Sequence, residues 1–123
     1  MPPRVDPGAL EFAAAVQRRT ARLAVNGQVQ VAIPGLDLML ELRDLSFGGF
    51  GMVAPRPFWK GMTHRFVFST FSGGAGRSIT LVAKMIHCNA VRAEHGYISG
   101  WEFMRGTSDR TEKEIGQLLD AVC

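Results

Sequence analysis

Apolar and polar residues alternate in several short segments of the chain, and this period of two predicts β-strands. Ile79, Leu81 and Ala83, for example, fall on one face of the fifth segment. The alternation then shifts phase around Ile86, which predicts a β-bulge. Short strands separated by turn residues are typical of a closed antiparallel barrel. The six predicted strands span residues 28–33, 38–44, 51–54, 63–70, 77–89 and 97–104.

A helical pattern replaces the strand pattern near the C-terminus. Asp109 followed three residues later by Glu112 is a helix-start signature. Apolar residues then recur at helical spacing, at Ile115, Leu118, Leu119 and Val122. We therefore predict a helix that covers one opening of the barrel.

The N-terminal part of the chain has a weaker helix signal. Asp6-Pro7 predicts an N-cap followed by proline at the first helical position, and thus a short helix to about residue 19. Residues 17–22 form a basic exit that we expect to be mobile and to become ordered around a ligand. The predicted fold is mainly β: a six-stranded antiparallel barrel with a C-terminal helix and a short N-terminal helix or arm. The arm is predicted at 1–16 and the barrel domain at 17–123.

The predicted core contains most of the bulky apolar residues. Trp59 and Trp101 are expected in the core or at its rim, and His64 and His95 at the surface. Phe47 and Phe50 flank the glycine turn and are expected to pack into the core; the alternative is that either lines a ligand face. Four methionines are expected to fill core gaps: Met39, Met52, Met62 and Met85.

Composition fits one ordinary globular domain and narrows the choice of partner. The chain has 123 residues, 46% of them hydrophobic and 20% charged, and a formal net charge of +3. This mild excess of positive charge suits an anionic ligand but not a nucleic-acid-binding tail. Every apolar run is far shorter than the roughly 20 residues of a membrane span. Cys88 and Cys123 have neither metal-site spacing nor a disulfide framework, so we expect a cytoplasmic protein.

Candidate chemistry lies where the second predicted strand ends. Asp44 and Ser46 are two residues apart, so in an extended segment they would face one common spot. Gly48, Gly49 and Gly51 follow and let the backbone turn closely around whatever binds there. The plainer interpretation is that Asp44 and Ser46 cap local backbone groups in the turn.

Upstream, Arg18 and Arg22 are four residues apart, so a helical or turn-like segment would place both guanidinium groups on one side. Together with a carboxylate, a hydroxyl and a close turn, they suit a ligand with phosphates and purine edges. Alternatively, they form a solvated basic face at a helix end. We find no nucleophile paired with a base, no metal spacing and no clustered carboxylates. His87 beside Cys88 has no further ligand near it, so neither an enzyme nor a metal site is predicted.

These two motifs resemble those of the PilZ domain family, the bacterial receptor module for the second messenger cyclic di-GMP. Residues 18–22, Arg-Arg-Thr-Ala-Arg, match the family's RxxxR, and residues 44–49, Asp-Leu-Ser-Phe-Gly-Gly, match its [D/N]xSxxG. Residues 97–103 are similar to the family's last strand. The resemblance runs from about residue 17 to the C-terminus. It implies a six-stranded barrel with an accompanying helix and cyclic di-GMP bound on the outer surface.

The resemblance also implies roles for individual residues. Arg18 and Arg22 would bind the phosphates and the Hoogsteen edges of guanine, and Arg19 would add charge. Asp44 and Ser46 would contact a guanine or a phosphate. Gly48 and Gly49 would form the tight turn of the ligand site. The family binds either one ligand or an intercalated pair, and the sequence leaves that choice open.

Two functions follow as hypotheses. The first is a cyclic di-GMP receptor whose arginine segment is ordered by the ligand and which signals to an unidentified protein partner in motility, biofilm formation or a related process. The second is a ligand-blind interaction protein of pilus or motility machinery, but such members typically lack the two motifs. Binding of single-stranded nucleic acid is not expected, because the aromatic residues follow the core alternation.

Overall fold

The computed structural model describes residues 21–72, 75–91, 96–106 and 109–122. The predicted N-terminal arm and helix, and with them Arg18 and Arg19, lie outside the described residues. The described elements, in chain order, are β1 (Leu23–Ala24), β2 (Val29–Ala32), β3 (Glu41–Leu45), β4 (Gly49–Ala54), β5 (Thr63–Ser72), β6 (Ala75–Val91), β7 (Gly96–Phe103) and α1 (Arg110–Val122).

All strands belong to one antiparallel sheet with the order β1-β3-β4-β7-β6-β5-β2. The sheet curls so that β2, at one end of this order, contacts β3 near the other end. Helix α1 packs against β1, β2 and β5. The predicted mainly β, barrel-like fold with a C-terminal helix is confirmed, although the described sheet is a curled half-barrel rather than a closed one.

The described sheet has seven strands, not the six predicted. The additional strand is β1, in which Leu23 and Ala24 pair with Leu45 and Asp44. Two residues are too few to show an alternating pattern. Strand β4 also begins earlier than predicted, because Gly49 pairs with Glu102 instead of ending the turn.

Two bulges interrupt the strand registers. In β6, Met85 pairs with Trp101 and His87 with Gly100, so Ile86 is an extra residue and the predicted bulge is confirmed. The second bulge was not predicted. In β3, Leu42 pairs with Met52 and Asp44 pairs with Gly51, which leaves Arg43 as the extra residue.

The centre of the core is Phe50 on β4. Its ring lies 5.0 Å from that of Phe66 and 5.2 Å from that of Phe68, both edge to face, and it stacks on Trp101 at 6.2 Å. Edge-to-face and stacked pairs of this kind stabilise a core beyond the burial of their area. Helix α1 closes the core with its buried residues Ile115, Leu118 and Leu119.

Several core predictions are confirmed, but those for Met39 and Trp59 are wrong. Met52 and Met85 are buried and Met62 packs against the core, but Met39 is 89% exposed. Its neighbours Leu38 and Leu40 pack against the core from either side of it, so the alternation turns Met39 to solvent.

Two further predictions concern aromatic residues. Trp101 is buried, whereas Trp59 lies in an exposed loop with 79% of its surface accessible, outside the core. His64, predicted at the surface, is half-buried against Phe58 and Trp101. Burial there lowers the pKa of His64 below its ordinary 6.5, and Arg56 lowers it further.

We expect Phe50→Ala to lower the free energy of unfolding by about 3–5 kcal/mol, because it removes the ring on which the central aromatic contacts depend. Phe71→Ala is the matched control, since Phe71 is 66% exposed. Urea unfolding followed by tryptophan fluorescence measures both. Equal losses in the two variants would contradict the central position of Phe50.

Candidate functional site

The candidate site forms on the outer face of the sheet, where Asp44 follows the β3 bulge. Leu42 and Leu45 are both buried although they are three residues apart, which strict alternation does not allow. The extra residue Arg43 resolves this conflict and turns Asp44 outward, where its side chain is 33% exposed.

Asp44 is paired with one of the predicted site arginines. Arg22 Nη1 donates to Asp44 Oδ1 at 2.5 Å, and the arginine side chain is 51% exposed. An ion pair this exposed contributes only about 0–1 kcal/mol to stability. Its main effect is therefore to orient the two groups. Among the described residues Arg22 donates only to Asp44, which leaves its other N–H donors for a ligand, and the carboxylate has further acceptor positions.

Ser46 fixes the turn that follows β3. Its hydroxyl donates to the Gly49 carbonyl oxygen and accepts from the Gly49 N–H, each at 3.2 Å. The Ser46 N–H donates to the same carbonyl at 2.8 Å. The side chain is buried, so the local capping role expected for a serine in this turn is present. A ligand contact of Ser46 stays a prediction.

The glycines after Ser46 are not equivalent. A Cβ added to Gly48 would meet nothing within 4 Å, whereas one added to Gly49 would overlap the Trp101 carbonyl oxygen. A Cβ on Gly51 would lie 2.9 Å from Asp44 Oδ2, so the carboxylate lies directly over this glycine. Gly49 thus permits the close approach of β4 and β7, and Gly51 leaves room for Asp44.

The strand registers extend this site across the sheet. Asp44 pairs with Gly51, Gly51 with Gly100, and Gly100 with His87. The His87 imidazole lies over Gly100 so closely that a Cβ there would overlap the ring. Side chains on adjacent strands directly opposite each other are about 5 Å apart. These four residues form one row across the sheet, the glycine row, in which Gly51 and Gly100 lie beneath the side chains of Asp44 and His87.

Sequence reasoning considered His87 only as a metal ligand and did not place it in one row with Asp44. Strict alternation from the buried Met85 would turn His87 inward, and the Ile86 bulge turns it outward instead. The sequence signals that point to this row are the phase shift at Ile86 and Gly100 within an otherwise regular strand.

Arg105 also contacts the turn that follows β3. The guanidinium donates to the Phe47 carbonyl oxygen and lies 4.3 Å from the centre of the Phe47 ring. The Phe103 N–H also donates to the Gly48 carbonyl oxygen at 2.9 Å. Backbone and cation–π contacts thus join the turn to the segment that leads into α1.

The described part of the chain was also compared with the requirements of a metal site and of a membrane-spanning helix. No three His, Cys, Asp or Glu side chains group there as metal ligands would. No described helix has the length and apolar character needed to cross a membrane.

Comparison with known proteins identifies the family. The model of the PilZ domain matches residues 16–121. The chain belongs to the PilZ domain family. The resemblance predicted from the two motifs is confirmed, and the match covers most of the chain. A search of curated proteins finds no match. PilZ domains are cyclic di-GMP-binding domains rather than catalytic ones.

Within this PilZ domain, the described structure brings together Arg22, Asp44, Ser46, Gly48 and Gly49 of the predicted site. Arg18 and Arg19 fall outside the described residues. Their role therefore stays a prediction.

We expect Gly49→Ala to destabilise the domain by about 1–3 kcal/mol or more, because its Cβ meets backbone that cannot move aside easily. Gly48→Ala should be close to neutral, since the space at that position is open. Urea unfolding of both variants makes the comparison. Similar stabilities would contradict the close β4–β7 approach.

Proposed function

We propose that this PilZ domain is a cyclic di-GMP receptor that binds its ligand at the Arg22–Asp44 pair on the outer face of the sheet. The observation that carries the proposal is the 2.5 Å contact between these two motif residues. Asp44 belongs to the row that contains Gly51 and Gly100. Family membership supports the same ligand class.

The chemistry of the pair matches the two parts of the ligand. An arginine guanidinium donates two parallel hydrogen bonds to a phosphate or to guanine O6 and N7. The Asp44 carboxylate is an acceptor for the N–H groups of guanine. Because Arg22 contacts Asp44 through Nη1 alone, both groups can bind the ligand without losing each other.

The glycine row sets the position of the two side chains above it. Because Gly51 and Gly100 have no side chains, the Asp44 carboxylate and the His87 imidazole lie close over the sheet. His87 offers a planar face on which a guanine can stack, and such stacking contributes about 1–3 kcal/mol per base. We therefore add His87 to the predicted ligand-binding residues.

The remaining parts of the proposal concern signalling. Arg18 and Arg19 would supply further phosphate contacts, and ordering of the arginine segment across the ligand would change the surface seen by a protein partner. A role in the cytoplasm fits a receptor for this second messenger. The proposal includes an unidentified protein partner and a role in motility, biofilm formation or a related process. It leaves open whether one ligand or an intercalated pair binds per site.

We expect Arg22→Ala and Asp44→Asn each to weaken cyclic di-GMP binding by about 1.5–3 kcal/mol, or roughly 10- to 150-fold, because each removes a charge-assisted hydrogen bond. Isothermal titration of the full chain with cyclic di-GMP, and with GTP as the control ligand, measures this loss. The fitted stoichiometry distinguishes one ligand from a pair.

Arg65→Ala is the matched control, since it removes an exposed arginine from β5, outside the site. Thermal unfolding of each variant checks the fold. Equal affinity in wild type and both site variants would contradict the assigned site. Absence of heat in the wild type would instead favour a ligand-blind interaction protein.

We expect His87→Ala to weaken cyclic di-GMP binding by about 1–3 kcal/mol through loss of stacking, and His87→Phe to restore most of it. Asn89→Ala is the control, because Asn89 is exposed on the same strand and pairs outside the glycine row. Affinity in His87→Ala equal to wild type would remove His87 from the site.

A further inference from the structure

A groove of about 440 Å³ lies between α1 and the turn of residues 46–49, which we call the ligand turn. Phe47 forms one wall. The other wall belongs to α1 and the residue before it, and consists of Asp109, Glu112, Lys113, Gly116, Leu119 and Asp120. These positions recur at intervals of three and four residues, so the groove follows one face of the helix for roughly 16 Å at 1.5 Å per residue.

The groove has room for an apolar side chain. A Cβ added to Gly116 would meet nothing within 4 Å, so the middle of the groove is open. Leu119 is buried and Phe47 is half-buried beside this space. An apolar group inserted between Phe47 and Gly116 would therefore leave water for an apolar surface, which is favourable.

The rim of the groove has the opposite charge to the protein as a whole. Three carboxylates and one ammonium line it, although the chain has a formal net charge of +3. Within the described residues, Asp109, Glu112 and Asp120 form no side-chain ion pair, whereas Glu114, outside the groove, is paired with Arg110. Charge complementarity therefore favours a basic partner.

Phe47 belongs both to this groove and to the ligand turn. It lies between Ser46, whose hydroxyl fixes the turn, and Gly48, whose carbonyl accepts from the Phe103 N–H. Arg105 contacts both its carbonyl and its ring. A displacement of the turn therefore displaces one wall of the groove.

We propose that this groove binds a basic amphipathic helix of a partner protein, with an apolar side chain inserted between Phe47 and Gly116. We infer further that the ligand site regulates this docking through Phe47, a coupling that rests on the proposed function. The partner helix is recognised by its lysine or arginine face against the acidic rim and by one projecting apolar residue.

The test uses a fluorescent 15-residue peptide of lysine and leucine at helical spacing, and the same peptide with every lysine replaced by glutamate. Amide chemical shifts of the full chain locate binding, and anisotropy gives the dissociation constant. We expect shifts at Phe47 and along α1, with no binding of the glutamate peptide.

Variants then separate the groove from general electrostatics. The double variant Glu112→Lys, Asp120→Lys should weaken peptide binding at least tenfold. The double variant Asp37→Lys, Glu41→Lys makes the same charge change at two exposed positions outside the groove and should have little effect. Gly116→Trp should block the groove, whereas Gly116→Ala should leave room for the peptide. Equal losses in the two double variants, or shifts confined to other surfaces, would overturn the docking proposal.

Regulation is tested by repeating the anisotropy titration with saturating cyclic di-GMP. We expect the dissociation constant to change at least threefold, and the same factor must appear in cyclic di-GMP affinity when peptide is saturating. Identical constants would overturn the coupling. If the wild-type chain gives no heat with cyclic di-GMP, the proposed function and the coupling both fail. The peptide shifts then still decide the docking surface.

Discussion

The two β-bulges determine on which side of the sheet the site residues lie. Asp44 follows the bulge at Arg43, and His87 follows the bulge at Ile86. Leu42 and Met85, two residues before Asp44 and His87, are both buried. Regular alternation would therefore turn the side chains of Asp44 and His87 into the core. One extra residue in each strand places them on the outer face instead, over neighbouring glycines.

Strand β4 links the candidate site to the core because one of its faces packs into the core and the other lies beneath the site. Phe50 and Met52 are fully buried on one face, among the aromatic rings. Gly49 and Gly51 lie on the other, where the first lets β7 approach and the second accommodates the Asp44 carboxylate. The packing of Phe50 thus fixes the backbone on which the candidate site is built.

The turn after β3 connects three regions of the molecule. Ser46 closes it from within, Arg105 holds it from the segment after β7, and Phe47 lines the groove beside α1. In the proposed mechanism, this turn is the link between a ligand on the sheet and the groove along the helix.

The sequence by itself determined the features that depend on neighbouring residues. Alternation and turn residues predicted six of the seven described strands, and helical spacing predicted α1. The order Asp44, Ser46, Gly49 identified the turn, whose hydrogen bonds span only three residues. Both motifs also identified the PilZ family. Local periodicity and local hydrogen bonding are properties of short segments, so they can be inferred without coordinates.

Only the tertiary structure decided which distant residues meet. The approach of Arg105 to Phe47, and the row that joins Asp44 to His87, depend on strand register. Register is set by the packing of the whole sheet, and one bulge reverses the direction of every side chain beyond it. The β3 bulge was not predicted, although the apolar spacing changes between Leu42 and Leu45, and which residue is extra is recognisable only from the partner strand.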